Sequence, residues 1–525
     1  MITTKIFSLI FMALLTVSYT DAARILAAFV FQAKSHYMMH NALIKELINR
    51  GHEVTFITSN SMNKNLGENY TEILIDPVYN YEPDIRNHFK TKGNLDFTNF
   101  SLVDFLKMLD IMGVKTTEHA LKHPKVRDIF HRNETHDVYD LLIVEQFYQE
   151  AFLALSYKYN IPVISSNTLG YENHMSQMMG LMTPWSYVPH GFLPFDDKMN
   201  YWERLKNTVA SLYTDLYREF VYFPRQDALI KKYLSHLPVK IPKVTEMEKN
   251  ISLMLLNSYV PLTKPRPSML GMIPVGGMHI YPANPLPADI KQFLDGATHG
   301  AIYFSLGSQV KTQNMPPEKL KAFLDVFASM KQRVLWKFED DKIPKLPKNV
   351  MIRKWMPQTD ILAHPNVKVF ITHGGLFGVQ ESVYHAVPML GIPAYGDQFL
   401  NMKKATNSGY AKTLNFQDIT KESLKESLTE LLENPSFKKN VQLTSRIFRD
   451  RPECPRETAM YWVDYVIRYK GAPHIRSAGL DLAWYEFYLL DVIATLVAGV
   501  AICVTFMFFA IQYLIGKTRI KVKMS

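Results

Sequence analysis

His36 lies just beyond a short apolar run, Arg24 to Phe31, in the segment F-Q-A-K-S-H-Y, where a side chain would face a cleft and could carry a proton at neutral pH. His40 follows four residues on, so H-x-x-x-H is formally a metal pair on one helical face. No glutamate follows His36 and no third ligand is evident, so no metal site is expected. The second chemical segment is His373-Gly374-Gly375, which ends one apolar run and opens a helix. Glycines there let a backbone approach a ligand, and a helix N-terminus offers free N–H groups to a phosphate. Gly307-Ser308 holds the corresponding place after Ala301 to Leu306. Glu381, one to two turns into the helix, could accept from sugar hydroxyls, and Trp355 could stack on a flat base. Two glycines after a strand also occur at many sites that bind no phosphate, so the wider setting must decide.

That setting is alternating strand and helix. Arg24 to Phe31 reads as a buried parallel strand, with Ser35 as a helix N-cap and Met39, Leu43 and Leu47 at helical spacing. Gly51 stops the helix and Val54 to Thr58 is the next strand, which completes a βαβ unit. Asp140 to Val144 and Ile161 to Ser165 are further strands. Residues 175 to 250 are rich in Met, Trp and Tyr, with a helical stretch from Tyr201 to Phe220. They read as helices near a pocket or a membrane surface, with most of the aromatics in the core. Pro261 to Pro287 reads as a connection between domains, after which the pattern restarts. Strands are expected at 301–306, 333–338, 350–353, 367–372 and 388–392, with helices at 317–330 and through Glu381. Two doubly wound parallel α/β domains facing a cleft is the expected architecture.

The two ends point to a compartment. Lys5 precedes an uncharged run from Ile6 to Thr20, and small residues then stand at Ala22 and Ala23, the pattern of a secretory signal peptide cleaved near Ala22. Val492 to Ile515 carries no charge over 24 residues. At about 1.5 Å per residue that is ~36 Å of helix, enough to cross a bilayer. Lys517, Arg519, Lys521 and Lys523 follow it, while Ser477 to Asp491 holds no Lys or Arg, so the tail is expected in the cytosol and the rest in the lumen. Asn69, Asn99, Asn133 and Asn250 are glycosylation acceptors by pattern. Cys454 and Cys503 fall on opposite sides of the membrane boundary and cannot pair within one chain. The expected layout is a signal peptide at 1–22, domains at 23–283 and 284–476, a juxtamembrane segment at 477–491, a span at 492–515 and a basic tail at 516–525.

Composition removes other classes. The net charge of +10 includes four charges in the tail, which leaves too thin a spread for nucleic acid. The chain contains no G-x-x-x-x-G-K-[ST], G-x-S-x-G, H-E-x-x-H or D-x-D.

The long segment from Trp355 to Gln398 resembles the signature of the UDP-glycosyltransferases: W-M-P-Q-T-D-I-L-A-H-P, F-I-T-H-G-G-L-F-G-V-Q-E and P-M-L-G-I-P-A-Y-G-D-Q. The likeness extends from the leader and first βαβ unit to the span and basic tail. It implies a GT-B fold, with a small lipophilic acceptor in the N-terminal domain and a UDP-sugar in the C-terminal domain. By position it makes Trp355 and Gln358 uracil and ribose contacts, and Ser308, His373, Gly375 and Gly378 diphosphate contacts. Glu381 becomes the ribose ligand, and Asp397-Gln398 the pair on the sugar hydroxyls. His36 becomes the general base. Its acidic partner, an Asp in the family, is here Glu145 at the end of D-L-L-I-V-E. Many relatives carry Asn where this chain has Phe377. The implied reaction is inverting transfer of a hexose, glucose before glucuronate, with no cofactor or metal; a non-catalytic carrier of lipophilic ligands is the rival. K-V-K-M-S at the end resembles a dilysine signal for retention in the endoplasmic reticulum.

Overall fold

The computed structural model describes residues 22–524 except 65, 91–99, 135–137, 309, 311 and 341, and for 518–524 only the helical backbone. The expected leader through residue 21, Asn99 and the tail side chains lie outside the described residues. One compact unit runs to Ile475 and a second begins at Arg476.

The first unit holds two parallel sheets. The first contains β1 (Arg24–Phe29), β2 (Glu53–Thr58), β3 (Tyr70–Leu74), β4 (Leu141–Glu145), β5 (Val163–Asn167), β6 (Leu253–Leu256) and β7 (Met272–Pro274), in the order β3-β2-β1-β4-β5-β6-β7. The second contains β8 (Ala301–Ser305), β9 (Arg333–Lys337), β10 (Val350–Arg353), β11 (Val367–Thr372), β12 (Met389–Gly391) and β13 (Ala411–Thr413), in the order β10-β9-β8-β11-β12-β13. Continuous apolar runs make these strands because both faces are covered. Along β1, Leu26 and Ala28 enter one core while Ile25, Ala27 and Phe29 enter the other. Burying a ring such as Phe29 contributes about 1.5–3 kcal/mol.

The strand orders fix where ligands go. In each sheet the chain starts in the middle, winds out one way and returns to wind the other. The reversals fall between β1 and β4 and between β8 and β11. Crevices beyond the carboxyl ends of those strand pairs are where open α/β sheets bind ligands.

Several elements were not evident in the sequence: β3, β6, β13, and β7 inside the Pro/Gly-rich stretch read as a connection. Ser35 precedes helix α1 (His36–Asn49), but its backbone is already helical and its side chain caps nothing. Helix α2 (Tyr201–Tyr217) starts with a reciprocal cap between Asn200 and Glu203 and runs into a π-helical turn, Arg218–Tyr222. Its inner face is small and polar, and Asn207 pins it by accepting from the His190 amide and donating to the carbonyls of Trp185 and Val188.

The second domain carries α3 (Leu376–Tyr384) and α4 (Gln398–Asn407). The chain then returns. Helix α5 (Pro455–Arg468), inside the expected second domain, places Ala459, Met460, Val463 and Val466 in the first domain's core beside Leu43 and Leu47. Asp464 binds His52 and Arg50 there, each at 3.2 Å. The second unit contains α6 (Leu490–Met524), whose Leu490–Lys517 stretch is long and apolar enough to cross a membrane.

Candidate active site

His36 and Glu145 meet at the first sheet's reversal. Parallel pairing of β1 with β4 sets Ala28 opposite Val144, so the residue that ends β4 stands beside the loop that leaves β1. His36 opens α1 after that loop, and its Nδ1 lies 2.5 Å from Glu145 Oε1. Both side chains are buried. Thr168, after β5, donates to the same oxygen at 2.8 Å, and Gln149 donates to the Glu145 carbonyl at 3.0 Å. Burial pushes the Glu145 carboxyl up, but the imidazoles of His36 and His40 and hydrogen bonds from His36 and Thr168 outweigh it and hold the group below its usual range. An ionised carboxylate only accepts, so Nδ1 of His36 carries the hydrogen and Nε2 is left as the base. His40 has another role. Its ring stacks on Phe29 at 3.8 Å, neither nitrogen has a hydrogen-bond partner, and burial lowers its pKa to about 4.

Across the cleft, Gly307-Ser308 follows β8 and His373-Gly374-Gly375 follows β11, at the second reversal. The glycines there have a local reason. A Cβ on Gly307 would stand 2.6 Å from His373 Cε1, and one on Gly375 would stand 2.5 Å from His373 Nε2. The imidazole occupies the space the two missing side chains leave, and Gly307 and Gly374 also have positive φ. Burial, then the nearby Lys337 ammonium, lowers the His373 pKa to about 4, so the ring is neutral. Glu381 is fully buried and accepts from Gln358 Nε2 and Thr359 Oγ1. Gly378 sits against Gln358. Trp355 stands at 70 % exposure, its ring open for stacking.

The residues read as the sugar-hydroxyl pair differ from each other. Asp397 stands just before α4 without a side-chain cap bond, accepts from Asn401 at 2.7 Å and lies close enough to His36 for the imidazole to stabilise its charge, although burial raises its pKa overall. Gln398 turns into its own loop and accepts from the amides of Ala394 and Tyr395. Phe377 does not face the donor crevice. It is 7 % exposed, packs edge-on against His279 and belongs to the first domain's core.

Four groups had no legible signal. Thr168 is one. Glu172 is another: burial raises its pKa to about 7, and Arg218, Asp397 and His36 act on it. It lines a narrow cavity with Asn173, His174, His190 and Arg218, next to Phe147, which packs edge-on to His36 at 5.1 Å. Glu172 Oε1, Asn173 Oδ1 and His174 Nε2 have no partners there. Lys337 places a cation by His373. Lys404, driven down to about 7 by burial and then by Arg266, lies near Asp397.

Residues 25–524 match the family described as "UDP-glucoronosyl and UDP-glucosyl transferase". UDP-glycosyltransferase UGT5 of Dactylopius coccus is 37 % identical over 92 % of this chain and 90 % of its own length. UDP-glucosyltransferase 2 of the same insect is 34 % identical over 97 % of this chain and 96 % of its own. UDP-glucuronosyltransferase 2B13 of Oryctolagus cuniculus is 32 % identical over 89 % of each. Among solved structures, the calicheamicin glycosyltransferase CalG4 superposes with a TM-score of 0.57 at 18 % identity, covering 85 % of this chain and 98 % of CalG4. That likeness establishes the GT-B fold.

Proposed function

The chain belongs to the UDP-glucuronosyl and UDP-glucosyl transferase family and is a glycosyltransferase that uses UDP-sugars; on that premise we propose that it moves glucose, with inversion, onto a hydroxyl of a small lipophilic acceptor. His36 Nε2 takes the acceptor's hydroxyl proton as the oxygen bonds to the anomeric carbon. The bond from that carbon to the diphosphate breaks, and its electrons leave with UDP. Glu145 keeps the tautomer and stabilises the imidazolium. His373 and the N-terminus of α3 meet the departing diphosphate, which calls for no resident metal. Glu381 and Gln358 hold the ribose, Trp355 the uracil, and Asp397 the sugar.

The observation that carries this reading is the pairing of His36 with Glu145 at 2.5 Å on one side of the cleft, with Asp397 near the same imidazole from the other side. A glucuronate donor is the second reading, supported by Lys404, a basic side chain near Asp397. We further read the chain as a type I protein of the endoplasmic reticulum, led by a cleaved signal peptide and anchored by Leu490–Lys517, with both domains lumenal. Microsomes carrying the chain, given UDP-glucose and UDP-glucuronate in parallel with a panel of phenols, decide the donor. No UDP release from either sugar would leave only the ligand-carrier reading.

A further inference from the structure

The cavity beside His36 is lined by polar atoms that the fold does not satisfy. Gln146 follows β4, while Glu172, Asn173 and His174 follow β5, the last two opening the short helix Asn173–Met178. Gln146, Asn173 and His174 are 3 %, 7 % and 9 % exposed. All four residues line the cavity, and Gln146 Oε1, Glu172 Oε1, Asn173 Oδ1 and His174 Nε2 have no hydrogen-bond partner. Their donating atoms point elsewhere: Gln146 Nε2 donates to Glu248 at 2.5 Å and Asn173 Nδ2 to Ser211 at 3.2 Å. His174 Nδ1 faces Glu172 Oε2 at 3.4 Å, which leaves Nε2 as an acceptor. Four buried acceptors thus converge, and unpaired buried acceptors are costly.

The charges run the same way. Among the described residues, Arg218 is the one cation on the cavity wall, and it acts on four carboxyl groups, Glu150, Glu172, Asp215 and Glu248. Burial holds the imidazoles of His174 and His190 well below their usual range, so neither adds a charge. Burial also raises Glu172 to about 7, Asp215 to about 6 and Glu248 to about 8, and the single guanidinium does not offset it. The cavity gives the centre of a water-sized group about 20 Å³, where one such group needs ~10–15 Å³. It takes one small polar group and no ring.

We propose that this cavity is an amine subsite: it holds a protonated primary amine of the acceptor while a hydroxyl of the same molecule meets His36. The three N–H groups of an ammonium serve the unpaired acceptors, and its charge supplies the cation that the carboxyl groups lack. A hydroxyl supplies one hydrogen and no charge. The distance suits a small molecule. Phe147 lines the cavity and stands edge-on to His36 at 5.1 Å, and Glu172 is close enough to His36 and Asp397 for their charges to act on it. Leu106, Phe147 and Phe192 on the same wall suit the apolar part between the two polar groups.

The inference rests on the proposed transfer to a hydroxyl at His36, so binding and transfer are measured apart. The purified full chain, saturated with UDP, is titrated in a calorimeter with phenols bearing a para aminomethyl, aminoethyl or aminopropyl group. Each is compared with the isostere in which methyl replaces the ammonium. At least one amine should bind on the order of 10- to 100-fold more tightly than its isostere, the range for hydrogen bonds between charged groups. Glu172→Gln keeps the shape and should reduce that ratio about tenfold. Asn173→Ala repeats the test should Glu172→Gln fold poorly. With UDP-glucose the preference should appear in KM and leave kcat little changed. Tighter binding of the amine with no transfer to any phenol would refute the transferase reading and keep the subsite. Equal binding of amine and isostere at every chain length overturns the proposal and leaves the cavity to a water. A preference that both variants leave intact overturns it too, as does a hydroxyalkyl phenol that binds as tightly as its amine.

Discussion

Thr168 and His36 donate to the same oxygen of Glu145, at 2.8 Å and 2.5 Å. The carboxylate is thus aimed by β5 as well as by α1, and the ring it holds cannot rotate without breaking a charge-assisted bond. Removing His36 as alanine should lower turnover by on the order of 10² to 10⁴ and leave UDP affinity unchanged in calorimetry. Glu145→Gln should reproduce much of that loss, and the double variant should be little worse than His36→Ala alone. Thr168→Val should cost about tenfold, the loss of one hydrogen bond to a charged group. Near-normal rates in both His36→Ala and Glu145→Gln would remove the base assignment.

The space between Gly307 and Gly375 gives a sharper test of the donor side. Gly375→Ala puts a methyl 2.5 Å from His373 Nε2, so the ring must move. UDP affinity should fall about tenfold or more, as in His373→Ala, with each lost contact worth roughly 1.4 kcal/mol. Asp397→Ala should spare UDP and weaken only the intact UDP-sugar. Unchanged UDP binding in His373→Ala would refute the diphosphate assignment.

Phe377→Asn introduces the amide that the family resemblance would lead one to expect, yet here it should do harm. The amide would replace a ring that packs on His279 inside the first domain's core. A loss of about 3 kcal/mol is expected from the vacated volume and the unpaired amide. Thermal denaturation should show it, with no gain in UDP-sugar affinity.

His279 also gives a pH dependence. Burial, and then Arg456, lowers its pKa to about 3, and neither nitrogen has a partner. Below pH ~6.5 the unfolded chain takes up a proton that the folded chain refuses, so stability falls with pH until the folded pKa is reached. His279→Leu should flatten the stability curve in that window by about 1.4 kcal/mol per pH unit. An unchanged slope would mean that the ring titrates normally.

Lys521→Ser with Lys523→Ser should move the protein from the endoplasmic reticulum toward the Golgi or cell surface with its topology intact, as read by glycan maturation and microscopy. Unchanged localisation would leave the tail as a plain stop-transfer cluster.

Much of the fold was legible because parallel strands are announced by continuous apolar runs, as in RILAAF and VKVFIT. The short strands β7 and β13 have three residues each, too few for any period. Chemical residues were legible where they followed such runs, as His36 and His373 do. Glu172 and Lys404 were not, because only the closed fold brings them to the cleft; Thr168 does follow such a run, directly after β5, but a threonine there carries no chemical signal of its own. The exposed rings of α2 were misassigned in part. Composition favours a buried tryptophan, and nothing local shows that Asn207 anchors the opposite face.

The return of α5 to the first domain has a mechanical consequence. The chain crosses between domains twice, after β7 and before α5, and Arg456, in the first turn of α5 where the second crossing ends, donates to the carbonyls of Met278 and Ile280 in the first. Its guanidinium also lies over Tyr281 at 4.1 Å. Two adjacent, cross-bonded passages act as a paired hinge pin. They leave the domains free to swing about one short axis and resist twisting about the others. On the proposed function, such an axis would let the cleft open for UDP to leave and bring His36 and Asp397 back to the same alignment on closing.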